Sequence, residues 1–219
     1  ESALSIARNS EEKLEINKRL IEIARLLDET RAVADVSNQA LALARDNGEK
    51  AELLMAQFDA LLAIGGWDET HRAFEKLAEL DLPQSLEGAR LMRRALYQER
   101  LLSDDAWFQS MLAAAGPDVK PVTARPDLLK NTLELFDLLI ENWPEMAEDS
   151  LFRAARLCSA ENHFDEARNR IRAFFERNFH AHEEEIVLLL IRMARLEGNT
   201  SQTQTLISRL LQRYQWMDK

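Results

Sequence analysis

The chain has 219 residues, enough for one domain, two small ones or a short repeat array, and its 46% apolar content is that of a globular protein rather than a disordered one. Its 28 basic and 38 acidic residues give a formal net charge of −10, a sign that repels a nucleic-acid backbone and an anionic lipid surface alike. The single cysteine, Cys158, excludes an intrachain disulfide, and no apolar run approaches bilayer length, so no direct membrane insertion is expected.

Leu, Ala, Glu and Arg dominate, while only 6 Gly and 5 Pro occur, a composition that favours helices over strands. The opening residues Glu1-Ser2-Ala3-Leu4 lack the basic start and apolar core of an export signal, and there is no initiating Met. The chain therefore reads as a processed or excised piece of a longer protein, from a bacterial periplasm or a cytoplasm. Leu14, Ile16, Leu20, Ile21, Ile23, Ala24 and Leu27 recur at helical spacing and end at Asp28-Glu29-Thr30. After Asp46-Asn47-Gly48 a second stripe, Leu53, Leu54, Phe58, Leu61 and Leu62, runs to Gly65-Gly66. The next helix begins near Leu86, past Pro83, and is bent or broken around Ser103-Asp104-Asp105 on its way to Ala115. Three prolines between Pro117 and Pro126 forbid a helix there, so an inserted loop is expected, with Asp127 capping the stripe Leu128, Leu129, Leu133, Phe136, Leu139 and Ile140 that ends at Trp143-Pro144. Glu161-Asn162 and Gly198-Asn199 mark the last breaks. Helices this long with links this short must fold back as antiparallel hairpins.

The breaks repeat. Gly65-Gly66-Trp67-Asp68-Glu69-Thr70 leads into Ala73, Phe74 and Leu77; Asn162-His163-Phe164-Asp165-Glu166-Ala167 leads into Ile171 and Phe174; Gly198-Asn199-Thr200-Ser201 leads into Ile207 and Leu210. Each is a tight turn followed by acidic or hydroxyl residues at a helix start, where the helix dipole favours negative charge. These segments resemble tetratricopeptide repeats, helix–turn–helix units of 34 residues. In that register packing positions fall on Leu20, Ile23, Ala24 and Leu27, on Leu54, Phe58, Phe74 and Leu77, and on Leu151, Ala155, Ala167 and Phe174. Phe58 stands where a small residue is usual, Thr70 and Thr203 replace Ala, and Arg31-Ala32 replaces a turn glycine. The resemblance implies an all-α, right-handed helical-hairpin solenoid. It would be a single domain over 1–219 with repeats at about 17–50, 51–84, 85–147 (insertion near 103–126), 148–183 and 184–217.

The same resemblance implies that the first helix of each repeat lines a groove that receives a partner protein or peptide. Its ligand-facing positions carry Arg25 in the first repeat, Met55 in the second, Phe152 and Arg156 in the fourth, and Leu188, Arg192 and Arg195 in the fifth. A basic, partly apolar strip inside an acidic protein suits an acidic or amphipathic segment, with Phe152 as apolar anchor. The same arginines could instead pair with Asp149 and Glu185. His180-Ala181-His182 before Glu183-Glu184-Glu185 is the one arrangement with zinc-ligand chemistry, and it reads instead as a turn and an acidic helix start. Cys158 lies on an apolar stripe and has no assignable base, and no phosphate-cradling loop or nucleophile motif occurs. Trp67 fits a turn plug. Trp107 beside Phe108 is read as packing the insertion down, or else as an interaction anchor. The expected role is thus a protein–protein interaction scaffold with no catalysis, metal or cofactor. Two alternatives remain: the repeat segment of an exopolysaccharide-export assembly recruiting a processing enzyme, and the effector- or peptide-binding module of a transcription factor.

Overall fold

The computed structural model describes residues 9–116 and 120–215, the side chains of 121–123 and 210–215 excepted; Glu1–Leu4, Pro117 and Trp216 lie outside the described residues. Those residues form eleven helices and no strand. They are α1 (Ser10–Leu26), α2 (Thr30–Leu41), α3 (Asn47–Ile64), α4 (Trp67–Ala78), α5 (Gln84–Ser103), α6 (Asp105–Ala115), α7 (Pro121–Asn142), α8 (Pro144–Ala160), α9 (Phe164–Glu176), α10 (Glu183–Leu196) and α11 (Thr200–Gln215). None of the described helices is long and apolar enough to cross a membrane. The chain divides into two compact units, Glu1–Leu135 and Phe136–Lys219, with the boundary inside α7.

The helices pair as hairpins because their ends close the same way. The helix ending at Leu26 turns through Asp28 (φ 55°), α8 through Asn162 (φ 63°) and α10 through Gly198 (φ 73°). In each case the next residue's N–H reaches back five residues: Glu29 to the Ala24 carbonyl (2.9 Å), His163 to Cys158 (2.8 Å) and Asn199 to Ala194 (2.8 Å). This is the Schellman closure, which needs a left-handed residue and so favours Gly or Asn. The residue whose carbonyl accepts is small and buried in all three: Ala24, Cys158, Ala194. Gly65 (φ 87°) ends α3 by a simpler bond, its N–H donating to the Leu61 carbonyl four residues back.

In the first unit α1, α3, α5 and α7 begin at Ser10, Asn47, Gln84 and Pro121, an interval of 37 residues each time. The Arg93 guanidinium of α5 holds Asp59 of α3 (2.6 and 3.1 Å), and Thr132 of α7 meets the Gln98 side-chain amide of α5 at 3.1 Å, the same separation of 34 residues in both pairs. Thr132 thus brings α7 against α5 at the same sequence separation by which Arg93 joins α5 to α3. This corrects the expected inserted loop at 103–126: α5 and α6 form a hairpin, and the proline-rich stretch opens α7. Pro121 takes the first helical position, where its missing N–H costs nothing, and Pro126 removes one bond in the second turn. Asp127 is consequently interior to α7 and caps nothing. Arg125 anchors this end, donating to the Leu102 carbonyl (2.6 Å) with its guanidinium 5.6 Å over the Phe108 ring.

Asp104 is the joint between α5 and α6. Its carboxylate accepts from the N–H groups of Ala106 (3.1 Å) and Trp107 (3.3 Å) and pairs with Arg100 at 2.9 Å. Asp104→Ala should cost about 0.5–2 kcal/mol in urea unfolding, whereas Asp104→Asn, an equally good cap, should recover most of it. Equal losses in the two variants would assign the effect to the ion pair instead.

The core of the first unit is aromatic. Phe58, fully buried, lies 6.4 Å from Phe74 and 6.5 Å from Tyr97 between ring centroids. Tyr97 stacks on Phe74 at 4.6 Å, and Trp107, 3% exposed, tilts against Tyr97 at 6.1 Å. The indole N–H of Trp107 donates to the Gly65 carbonyl at 3.2 Å. Trp107 is therefore a packing group, not an exposed anchor. The first stripe also turns relative to expectation: α1 buries Leu14, Asn17, Ile21 and Ala24, while Ile23 and Leu27 are 51% and 63% exposed.

In the second unit α8 and α9 form one hairpin and α10 and α11 another, with α8 packed on α10. Leu151, Ala154, Ala155 and Cys158 of α8 are buried, as are Ala167, Ile171 and Phe174 of α9 and Ile186, Leu189 and Met193 of α10. Arg170, at 12% side-chain exposure, bridges Asp137 and Glu166.

Candidate functional site

The sequence-derived site residues fall into two places. In the first unit Arg25 is exposed and lines a hollow of about 390 Å³ with Asp28, Asp59 and Arg93, floored by Ala24, Ala56 and Ala60. Asp59 and Arg93 neutralise each other there. Met55 does not join it. It is 6% exposed and packs in a separate cluster with Ala51, Leu54 and Leu77, so it supports the helix rather than meeting a ligand.

In the second unit Leu188, Arg192 and Arg195 occupy one face of α10, at a spacing of four and then three residues. The opposite face carries the buried Ile186, Leu189 and Met193. Leu188 is 55% exposed, and both arginines are exposed. Arg195 sits in the last turn, where it complements the helix dipole. Arg192 has no such role, and no described carboxylate pairs with it. Arg156 on α8 is exposed with its guanidinium 5.8 Å over the Phe152 ring. Phe152 itself is 9% exposed and is covered by His182, stacked at 4.2 Å and 10°. This corrects its role: the accessible apolar group is Leu188, and Phe152 is the buried support on which Arg156 and His182 rest.

The histidines are locally engaged. His180 pairs with Glu183, and its N–H and that of Ala181 donate to Glu148 at 2.7 and 2.6 Å. His182 lies 3.5 Å from Asp149. Among the described residues no group of three His, Cys, Asp or Glu side chains is arranged to hold a metal.

A chain of polar contacts that sequence reasoning missed runs through the aromatic core. The Tyr97 hydroxyl lies 2.8 Å from His71 Nδ1, and His71 Nε2 lies 3.4 Å from Glu75. Trp67 stacks on His71 at 4.7 Å. His71 was legible only as a turn residue, because Tyr97 belongs to the next hairpin, 26 residues on.

Two buried acids have displaced titrations. Burial pushes the Tyr97 phenol from 10.0 up to about 12, with nearby Glu75 adding to it, and pushes the Cys158 thiol from 9.0 up to about 11. Each group holds its proton more firmly in the folded chain. The stability this supplies is complete below the unfolded values and is lost as pH rises through about 11 and 12. Two pKa units correspond to about 2–3 kcal/mol per group. The urea midpoint should therefore fall steadily above pH 9, and Tyr97→Phe with Cys158→Ala should flatten that fall. An equally steep decline in the double variant would trace it to the lysines or to the one remaining tyrosine.

No family model, curated protein or solved structure matches this chain. The functional reading accordingly rests on the helix hairpins and on the exposed face of α10.

Proposed function

We propose that the chain is a tetratricopeptide-like interaction module that receives an acidic or amphipathic segment of another protein on the exposed face of α10. The repeated Schellman-closed hairpins support the repeat reading, since the same turn recurs at Asp28, Asn162 and Gly198. One observation carries the binding reading: Arg192 is an exposed cation without a described carboxylate partner, one helical turn from a Leu188 that is 55% exposed. In a protein of net charge −10 acidic partners are plentiful, and many cations take one, as Arg31 takes Glu69, Arg45 Glu49 and Arg93 Asp59. An unpaired guanidinium beside exposed leucine is the chemistry that recognises a carboxylate next to an apolar side chain. The chain is proposed to act by binding, with no catalytic role, no metal and no cofactor. The test is calorimetry of a recovered partner against the wild-type chain and against Arg192→Glu with Arg195→Glu.

A further inference from the structure

A second surface, in the first unit and independent of the α10 face, has the features of a small-molecule site. A cleft of about 520 Å³ runs along α5, bounded by α4 on one side and by α6 and α7 on the other. This volume lies within the range of small-ligand sites. Along α5 it follows a single stripe, Glu87, Arg90, Leu91, Arg94, Gln98 and Leu101. At the helical rise of 1.5 Å per residue, the fourteen steps from Glu87 to Leu101 span about 21 Å. Its walls are Phe74 and Leu77 of α4, Met111 of α6 and Leu128 of α7.

Shape and polarity select the occupant. A helix about 10 Å across and 21 Å long fills about three times the cleft volume, so a partner helix does not fit within it. An extended peptide would bring backbone N–H and C=O groups that require partners. The polar groups of the cleft are mostly committed already: Glu87 and Arg90 pair at 2.8 Å, Arg90 donates to the Leu80 carbonyl at 3.2 Å, Gln98 meets Thr132, and the Tyr97 hydroxyl meets His71. Arg94 is the exception. It is exposed, lines the cleft, and has no described ion-pair or hydrogen-bond partner. We propose that this cleft binds an unbranched alkyl chain bearing an anionic head group, the chain lying between Leu77, Leu101, Met111 and Leu128 and the head on the Arg94 guanidinium. The acidic net charge disfavours an anionic bilayer as the source of that chain, so the ligand is a free monomer.

The probe is sodium decanoate, kept below its micelle concentration and titrated into the full chain by calorimetry. Saturable binding at one site is expected, with butyrate at least tenfold weaker because it carries the head without the chain. Arg94→Glu should weaken decanoate binding at least tenfold, and Ala78→Trp, at an exposed position lining the cleft, should abolish it. Both substitutions are at exposed residues, and an unchanged thermal melt checks that each variant is folded. Absence of saturable decanoate binding overturns the proposal. So does binding unaffected by either folded variant, and so does association with anionic phospholipid vesicles but not with decanoate monomers.

Discussion

Phe58→Ala should lower unfolding stability by about 3–5 kcal/mol, the largest effect of any single substitution considered, because it empties the centre of the first unit's core. The ring is fully buried and touches the planes of two others, Phe74 and Tyr97, which themselves stack at 4.6 Å. Truncation would remove dispersion contacts on several sides at once and leave a cavity bounded by aromatic rings, which collapse poorly. Urea denaturation followed by circular dichroism would read this as a lower midpoint at nearly unchanged slope. Phe58→Leu, which keeps most of the volume, should cost much less. A loss below about 1 kcal/mol for the alanine variant is what a surface substitution gives, and would mean that the aromatic cluster repacks around the gap.

Reversing Arg192 and Arg195 to Glu should weaken binding of an acidic partner at least tenfold without changing the thermal melt. Both side chains project from the face of α10 opposite Ile186, Leu189 and Met193, so neither contributes to the core. A charge-assisted contact is worth about 1.5–3 kcal/mol, and 1.4 kcal/mol is a factor of ten in affinity. The double reversal also makes the protein more acidic, so a control must carry the same charge change elsewhere. Arg168 is unsuitable because Asp165 and Glu197 hold it. Arg172→Glu with Arg209→Glu places the same charge on exposed positions of α9 and α11. Calorimetry at two salt concentrations then separates the cases. A specific site predicts a large loss for the α10 pair and a small, salt-suppressed loss for the control. Equal losses would reduce the interaction to net charge, and an unaffected α10 pair would remove that face from consideration.

The hairpins were legible because turn chemistry is local. Gly65, Asn162 and Gly198 stand where a left-handed residue is required, and the acidic or hydroxyl residues after them mark helix starts. The burial of Cys158 followed from the apolar stripe it lies on, and that of Leu77 and Phe174 from the packing positions that the repeat resemblance implies. The prolines misled. Their effect depends on which helical position they occupy, and Pro121 falls at the one place where a helix accepts it freely. The 37-residue interval that brings α7 beside α5 was present in the sequence but needed the helix starts to be known. Of the stripe read for α1, Ile21 and Ala24 are buried while Ile23 and Leu27 are exposed. Periodicity fixes that a stripe exists more firmly than which edge of it faces inward. Of the site residues, Leu188 and Arg192 are exposed. The cover that His182 places over Phe152 was not legible, because a stack between a turn residue and a helix thirty positions earlier leaves no local signal.

The order in which the helices touch has a kinetic consequence. The strong helix contacts join neighbours or next-but-one helices along the chain, so little distant chain has to be gathered before a contact forms. Assembly from short segments is therefore expected. Amide hydrogen exchange would then be graded rather than uniform. Protection would be greatest in helices flanked on both sides, such as α3 and α5, whose packing partners are α2, α4 and α6 as well as each other. Helix α10 packs chiefly on α11 and α8, so lower protection is expected in the helix that carries Arg192.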